Sequence, residues 1–113
     1  LCSTLLRNET MSLRNFRVFN LSCNFYDQCS QLRLPRHLKD QLSRASSSIS
    51  LNIAEGLGKS THKDQRKFFS IAYGSAKESA AILILEKVNN PDLHNLNDHI
   101  NACLYKLIKK PSS

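Results

Sequence analysis

Asp40-Gln41-Leu42-Ser43-Arg44-Ala45-Ser46-Ser47-Ser48-Ile49-Ser50-Leu51-Asn52-Ile53-Ala54-Glu55-Gly56 is the stretch that decides the fold. Leu42, Ala45, Ile49 and Ile53 continue from Leu38 at the spacing of a single helical face. Serines crowd between them, and serine weakens an isolated helix because its hydroxyl competes for the backbone hydrogen bonds. This helix must therefore be held by packing, and its small side chains mark a close helix–helix contact, either within the bundle or between subunits. Gly56 and Gly58 supply its C-terminal stop.

The same periodicity extends on both sides. From Ser12 to about Leu32, Phe16, Phe19, Cys23 and Tyr26 form one apolar face and Val18, Phe25 and Cys29 a second, until Leu34-Pro35 interrupts the helix. Thr61 with Asp64 predicts a capped start for a third helix running from His62 to about Val88, with Phe68, Ile71, Ala72, Ser75, Ser79, Ile82 and Leu85 on its inner face. Asn90-Pro91 suits an N-cap followed by proline, after which Leu93, Leu96, Ile100, Cys103 and Leu107 form a heptad stripe ending near Lys109 and Lys110, where positive charge suits the helix dipole. No segment alternates with the period of a strand. The chain reads as all-α, an up-and-down antiparallel four-helix bundle in one domain over residues 12–110. The first methionine is Met11, and residues 1–11 are expected to be a poorly ordered extension.

Composition bounds the function. A chain of 113 residues with 41% hydrophobic content supports one core. A net charge of +7 and an isoelectric point near 9.5 suit a polyanionic partner: RNA, DNA, an anionic membrane or an acidic protein. No apolar run approaches the roughly 20 residues that span a bilayer, so a soluble protein without membrane attachment is expected. Cys2, Cys23, Cys29 and Cys103 form no C-x-x-C pair and no secretory signal precedes them, which predicts reduced thiols and a cytoplasmic location. His37, His62, His94 and His99 are dispersed, so neither a metal nor a cofactor is expected.

Gly56-Leu57-Gly58-Lys59-Ser60-Thr61 ends like a phosphate-binding loop, but that loop needs glycine where Ile53 stands and should follow a strand. The basic residues Arg33, Arg36, Lys39, Arg44, Lys59, Lys63, Arg66 and Lys67 crowd the sequence between the first and third helices, opposed by Asp40, Glu55 and Asp64. Solvation of a bundle surface is the plain reading of such a run. The sharper one is phosphate binding by Arg36, Lys39, Arg44, Lys59, Lys63, Arg66 and Lys67, through charge and shape, because aromatic residues do not interleave with these positions on an obvious exposed surface for stacking on bases. Asn52 and Glu55 are expected to make structural hydrogen bonds within the bundle or across a subunit contact, Glu55 with a basic residue of a neighbouring helix. No acid, base, nucleophile or metal set converges in the sequence, so no enzyme is expected.

Gln41-Leu42-Ser43-Arg44-Ala45, Ser48-Ile49, Asn52-Ile53-Ala54-Glu55-Gly56, Gly58-Lys59, Phe68-Phe69 and Ile71-Ala72-Tyr73-Gly74-Ser75 through Glu78 resemble a bacterial family: the four-helix bundle proteins encoded within intervening sequences of 23S ribosomal RNA genes, related to the accessory variability determinant of diversity-generating retroelements. The resemblance spans nearly all of residues 12–110, including Leu104-Tyr105-Lys106-Leu107-Ile108, and Asn52 to Gly56 is its most specific part. It implies a barrel-like homopentamer of up-and-down bundles with a basic surface for nucleic acid, RNA or DNA, and no catalysis. In the retroelement branch it implies a reverse transcriptase as partner, so an adaptor docking on an acidic protein is the alternative. Many relatives carry proline where this chain has Ser50, and the link after Leu34-Pro35 is shorter here.

Overall fold

The computed structural model describes residues 16–111, so the extension expected over residues 1–11 lies outside the described residues. Four helices follow one another: α1 (Arg17–Ser30), α2 (Arg36–Leu57), α3 (His62–Leu85) and α4 (Pro91–Lys109). Their ends have local causes. Pro35 precedes α2, the Thr61 hydroxyl accepts the Asp64 N–H at 3.2 Å to start α3, and Asn90 Oδ1 accepts the Leu93 N–H at 3.1 Å with Pro91 in the first helical position. At the end of α3 the Val88 N–H reaches back to the Leu83 carbonyl at 3.0 Å, with Lys87 in the left-handed region at φ 52°. Gly58, by contrast, closes α2 with right-handed φ of −84°, and Gly56 lies inside the helix. The stop after α2 therefore needs no glycine conformation.

Each helix packs on its neighbours in sequence, and α1 closes the ring against α4; the α2–α3 contact is the most extensive. The chain direction alternates. Along α2 and α3, Gln41 meets Glu78, Ser48 meets Ser75 and Gly56 faces Phe69, so one index rises as the other falls. Phe25, Leu42, Ile49, Ile53, Leu83, Leu93, Ile100 and Leu104 are fully buried along the axis. Each such side chain contributes roughly 1.5–3 kcal/mol by leaving water.

The inner face of α2 is the one its spacing predicts; the other helices rotate. In α1 the second apolar face, Val18, Phe25 and Cys29, points inward with Ser22, while Phe19, Cys23 and Tyr26 are half-buried. In α3 the buried line is Phe69, Ala72, Ala76, Ser79, Ile82 and Leu83, leaving Ile71 and Leu85 exposed. In α4 the deepest line is Leu93, Asn97, Ile100, Asn101 and Leu104 rather than the heptad stripe. Two buried asparagines cause that shift. Asn97 Nδ2 donates to the Ala76 carbonyl at 3.2 Å and Asn101 Nδ2 to Asn97 Oδ1 at 3.0 Å, so both amide nitrogens find partners at positions that a hydropathy pattern assigns to the surface, while Asn101 Oδ1 is left without one.

The serine tract is a hydrogen-bonded seam inside the bundle. Ser46 is fully buried and donates to the Leu42 carbonyl at 2.7 Å. Ser22 of α1 donates to the Phe19 carbonyl at 2.7 Å, which leaves Ser50 as the donor in the 2.8 Å contact between Ser50 and Ser22. On the other flank, Ser75 of α3 donates to Ser48 Oγ at 2.8 Å, and Asn52 Nδ2 reaches the same oxygen at 3.0 Å. The local cost of serine in a helix is offset because its hydroxyls link three helices.

By length and composition α3 is apolar enough to cross a membrane, contrary to the expectation that no segment is. Ala72, Ala76, Ile82 and Leu83 of this helix are buried against its neighbours, and 33% of its apolar stretch is buried. Among the described residues, Cys23, Cys29 and Cys103 form no disulfide. Burial pushes the Cys29 thiol up to about 12, so at neutral pH it stays protonated and inert.

Candidate nucleic-acid interface

An antiparallel bundle gathers alternate helix ends. The start of α1, the end of α2, the start of α3 and the end of α4 meet at one end of the molecule, where Phe16, Leu57, His62, Gln65, Phe69, Leu107 and Lys110 line a shared cavity of about 170 Å³. Around it stand Lys59 just beyond α2, Lys63, Arg66 and Lys67 in the first turns of α3, and Lys106, Lys109 and Lys110 at the end of α4. Arg17, Lys106 and Lys110 line an adjoining open cleft of about 440 Å³ with Phe16, Val18, Cys103 and Leu107. Among the described residues, Glu55 and Asp64 are the acids of this end.

The sequence-predicted set is thereby divided. Lys59, Lys63, Arg66 and Lys67 sit together, but Arg36 and Lys39 begin α2, whose 22 residues put them about 33 Å away. Lys39 has a structural task there, donating to the carbonyls of Ser30 at 3.2 Å and Leu32 at 2.9 Å beyond the last turn of α1. Arg44 lies exposed on α2 between the two ends. Arg17, Lys106, Lys109 and Lys110 were absent from the predicted set, because their proximity to Lys59 and Lys63 comes from topology and not from spacing along the chain.

Asn52 makes the structural bonds expected of it, donating to the Ser48 carbonyl at 2.9 Å and to Ser48 Oγ. Glu55 pairs with Lys59 at 3.3 Å, four residues along its own helix end and not with a neighbouring helix. Both side chains are substantially exposed, so the pair is worth at most about 1 kcal/mol and can exchange for a phosphate. Gly56 lets α3 approach: a Cβ there would stand 2.7 Å from Phe69 Cε1 and 3.0 Å from Cδ1.

Aromatic rings do interleave with the cations, contrary to the sequence reading. Half-buried Phe68 lies between Lys59 and Lys67, whose ammonium groups are 5.1 and 5.6 Å from its centroid. On the α3–α4 face, Tyr73 and Tyr105 stand with centroids 6.3 Å apart, flanked by Lys77 and Lys109. Lys59 meets Phe68 across the α2–α3 connection and Lys77 and Lys109 lie one helical turn from their rings, whereas Lys67 adjoins Phe68 in the sequence.

The fold and its charged end define a small four-helix bundle that gathers lysines and arginines at one end. A family model described as 23S rRNA-intervening sequence protein matches residues 14–109, and the chain belongs to that family. No curated protein and no solved structure matches it.

Proposed function

We propose that the chain is a non-enzymatic cytoplasmic protein that binds nucleic acid through the basic end of its bundle and works as a homo-oligomer. The observation that carries this reading is the convergence of Arg17, Lys59, Lys63, Arg66, Lys67, Lys106, Lys109 and Lys110 at one end against Glu55 and Asp64. Cations spread for solubility alone would be interspersed with acids. Clustered ones track a phosphate backbone, releasing its condensed counterions. The family's association with an rRNA intervening sequence favours RNA as the polyanion.

Assembly has its own support. Leu51, Ile84 and Leu85 are 67–69% exposed, and Leu51 borders an apolar groove of about 330 Å³ between α1 and α2, lined also by Cys23, Tyr26, Ser47 and Ser50. Apolar surface of this kind suits a contact with a second copy, and cyclic closure into the pentamer that the resemblance implies would repeat the basic end around one axis.

The test is a salt titration of RNA binding. With about six phosphates contacted, the logarithm of the binding constant falls against the logarithm of salt with a slope near −4, and affinity drops by more than about 100-fold between roughly 50 and 200 mM. A slope near zero, or no binding at the lowest salt, would overturn the reading.

A further inference from the structure

We propose that Tyr73 and Tyr105 form a stacking platform for unpaired RNA bases beside the basic end, so that the preferred ligand is a single-stranded RNA segment. This deepens the nucleic-acid reading and rests on it. The two rings come from different helices, α3 and α4, and stand 6.3 Å apart at an interplanar angle of 46°, Tyr73 half-buried with one side against the core. Tyr105 is 51% exposed. On the N-terminal side of each ring the neighbours are small and exposed: Ser70 lies about one turn before Tyr73 and Ala102 about one turn before Tyr105.

Charge at the platform suits a polynucleotide. Lys77 Nζ lies 5.3 Å from the Tyr73 centroid and Lys109 Nζ 5.5 Å from that of Tyr105. The nearby acid Glu78 is held by Gln41 at 3.0 Å on the α2 side, and Asp98 lies about 10 Å back along α4 from Tyr105. An exposed ammonium over a ring is worth about a factor of two to five in affinity. Stacking of a base is worth about five- to 100-fold, so an arriving base displaces the ammonium, which then serves the adjoining phosphate. Paired bases cannot reach the rings, because duplex RNA offers proteins its phosphates, hydroxyls and groove edges. Loops and bulges of RNA present splayed bases, which is why the platform selects unpaired RNA.

The experiment measures fluorescence anisotropy of labelled oligo(U), oligo(dT) and an RNA duplex, each about 15 long, with the full chain near 50 mM salt. The Tyr73→Ala/Tyr105→Ala variant, checked for retained helicity, is expected to lose at least about 30-fold in oligo(U) affinity while duplex affinity changes by less than about threefold. Tyr73→Phe/Tyr105→Phe keeps the rings and is expected to keep the affinity. With Tyr26 as the one other tyrosine and no tryptophan, intrinsic emission reports on the platform, and oligo(U) is expected to quench most of it. Wild-type affinity of the alanine variant for oligo(U), or an equal loss on duplex, would overturn the platform while leaving the basic end standing. Oligo(dT) bound as tightly as oligo(U) would overturn the choice of RNA. Failure of the wild-type chain to bind any of the three would overturn the nucleic-acid reading itself and leave the aromatic face to a protein partner.

Discussion

Reversing Lys59, Lys63 and Lys67 to glutamate together lowers affinity for a single-stranded RNA by about 100-fold or more near 50 mM salt and cuts the salt slope by about two. The magnitude follows from geometry. These ammonium groups stand at one end, Lys59 and Lys67 on either side of Phe68, and each reversal removes an attraction and adds a repulsion. The matching reversal of Arg33, Arg36 and Lys39 at the opposite end changes affinity by less than about fivefold, because about 33 Å of α2 separates it from the site and salt screens beyond about 10 Å. Equal losses from the two triple variants, measured by anisotropy, would show that only net charge matters. The Lys59/Lys63/Lys67 variant is expected to fold, since these side chains reach solvent and their removal uncovers no core, and the opposite-end variant, which also loses the Lys39 bonds to Ser30 and Leu32, is checked for retained helicity.

The two glycines inside helices respond to alanine with opposite signs. Gly56→Ala is destabilising by about 1–2 kcal/mol: the gain of up to about 1 kcal/mol in helix propensity is outweighed by overpacking, because the new methyl would stand 2.7 Å from the ring of Phe69, which is only 5% exposed. Gly74→Ala meets nothing within 4 Å and stabilises by about 0.5–1 kcal/mol through the unfolded chain. At roughly 4–8 °C per kcal/mol the midpoints of thermal unfolding separate by about 6–24 °C. Stabilisation by both substitutions would mean that the α2–α3 contact is looser than described. This approach of α3 to α2 positions Lys63 and Lys67 beside Lys59, so Gly56→Ala should also weaken RNA binding where Gly74→Ala leaves it unchanged.

Element ends were legible because single residues with strong local chemistry mark them: Pro35, the Thr61–Asp64 cap and the Asn90-Pro91 pair. Faces were less so. In α1 both sides carry apolar residues, and the one that turns inward includes Ser22, whose hydroxyl is satisfied by Phe19 and Ser50 and so costs little to bury. In α4, Asn97 and Asn101 are buried with their amide nitrogens hydrogen-bonded, and the apolar stripe beside them drew the periodicity off by one position. Half of the candidate site was visible as the cluster Lys59 to Lys67. The other half, Arg17 and Lys106 to Lys110, required the further step of placing the end of α4 beside the end of α2, which an up-and-down topology itself dictates. Arg36 and Lys39 were drawn in by closeness in sequence, although a 22-residue helix carries them to the far end.

Acetylation footprinting of lysines, read by mass spectrometry with and without saturating RNA, tests the end-on interface residue by residue. The account predicts protection of Lys59, Lys63, Lys67, Lys106, Lys109 and Lys110, with Lys39 and Lys87 equally reactive in both states. Protection of Lys39 and Lys87 with the six others unchanged, or protection spread evenly over all eight, would contradict it.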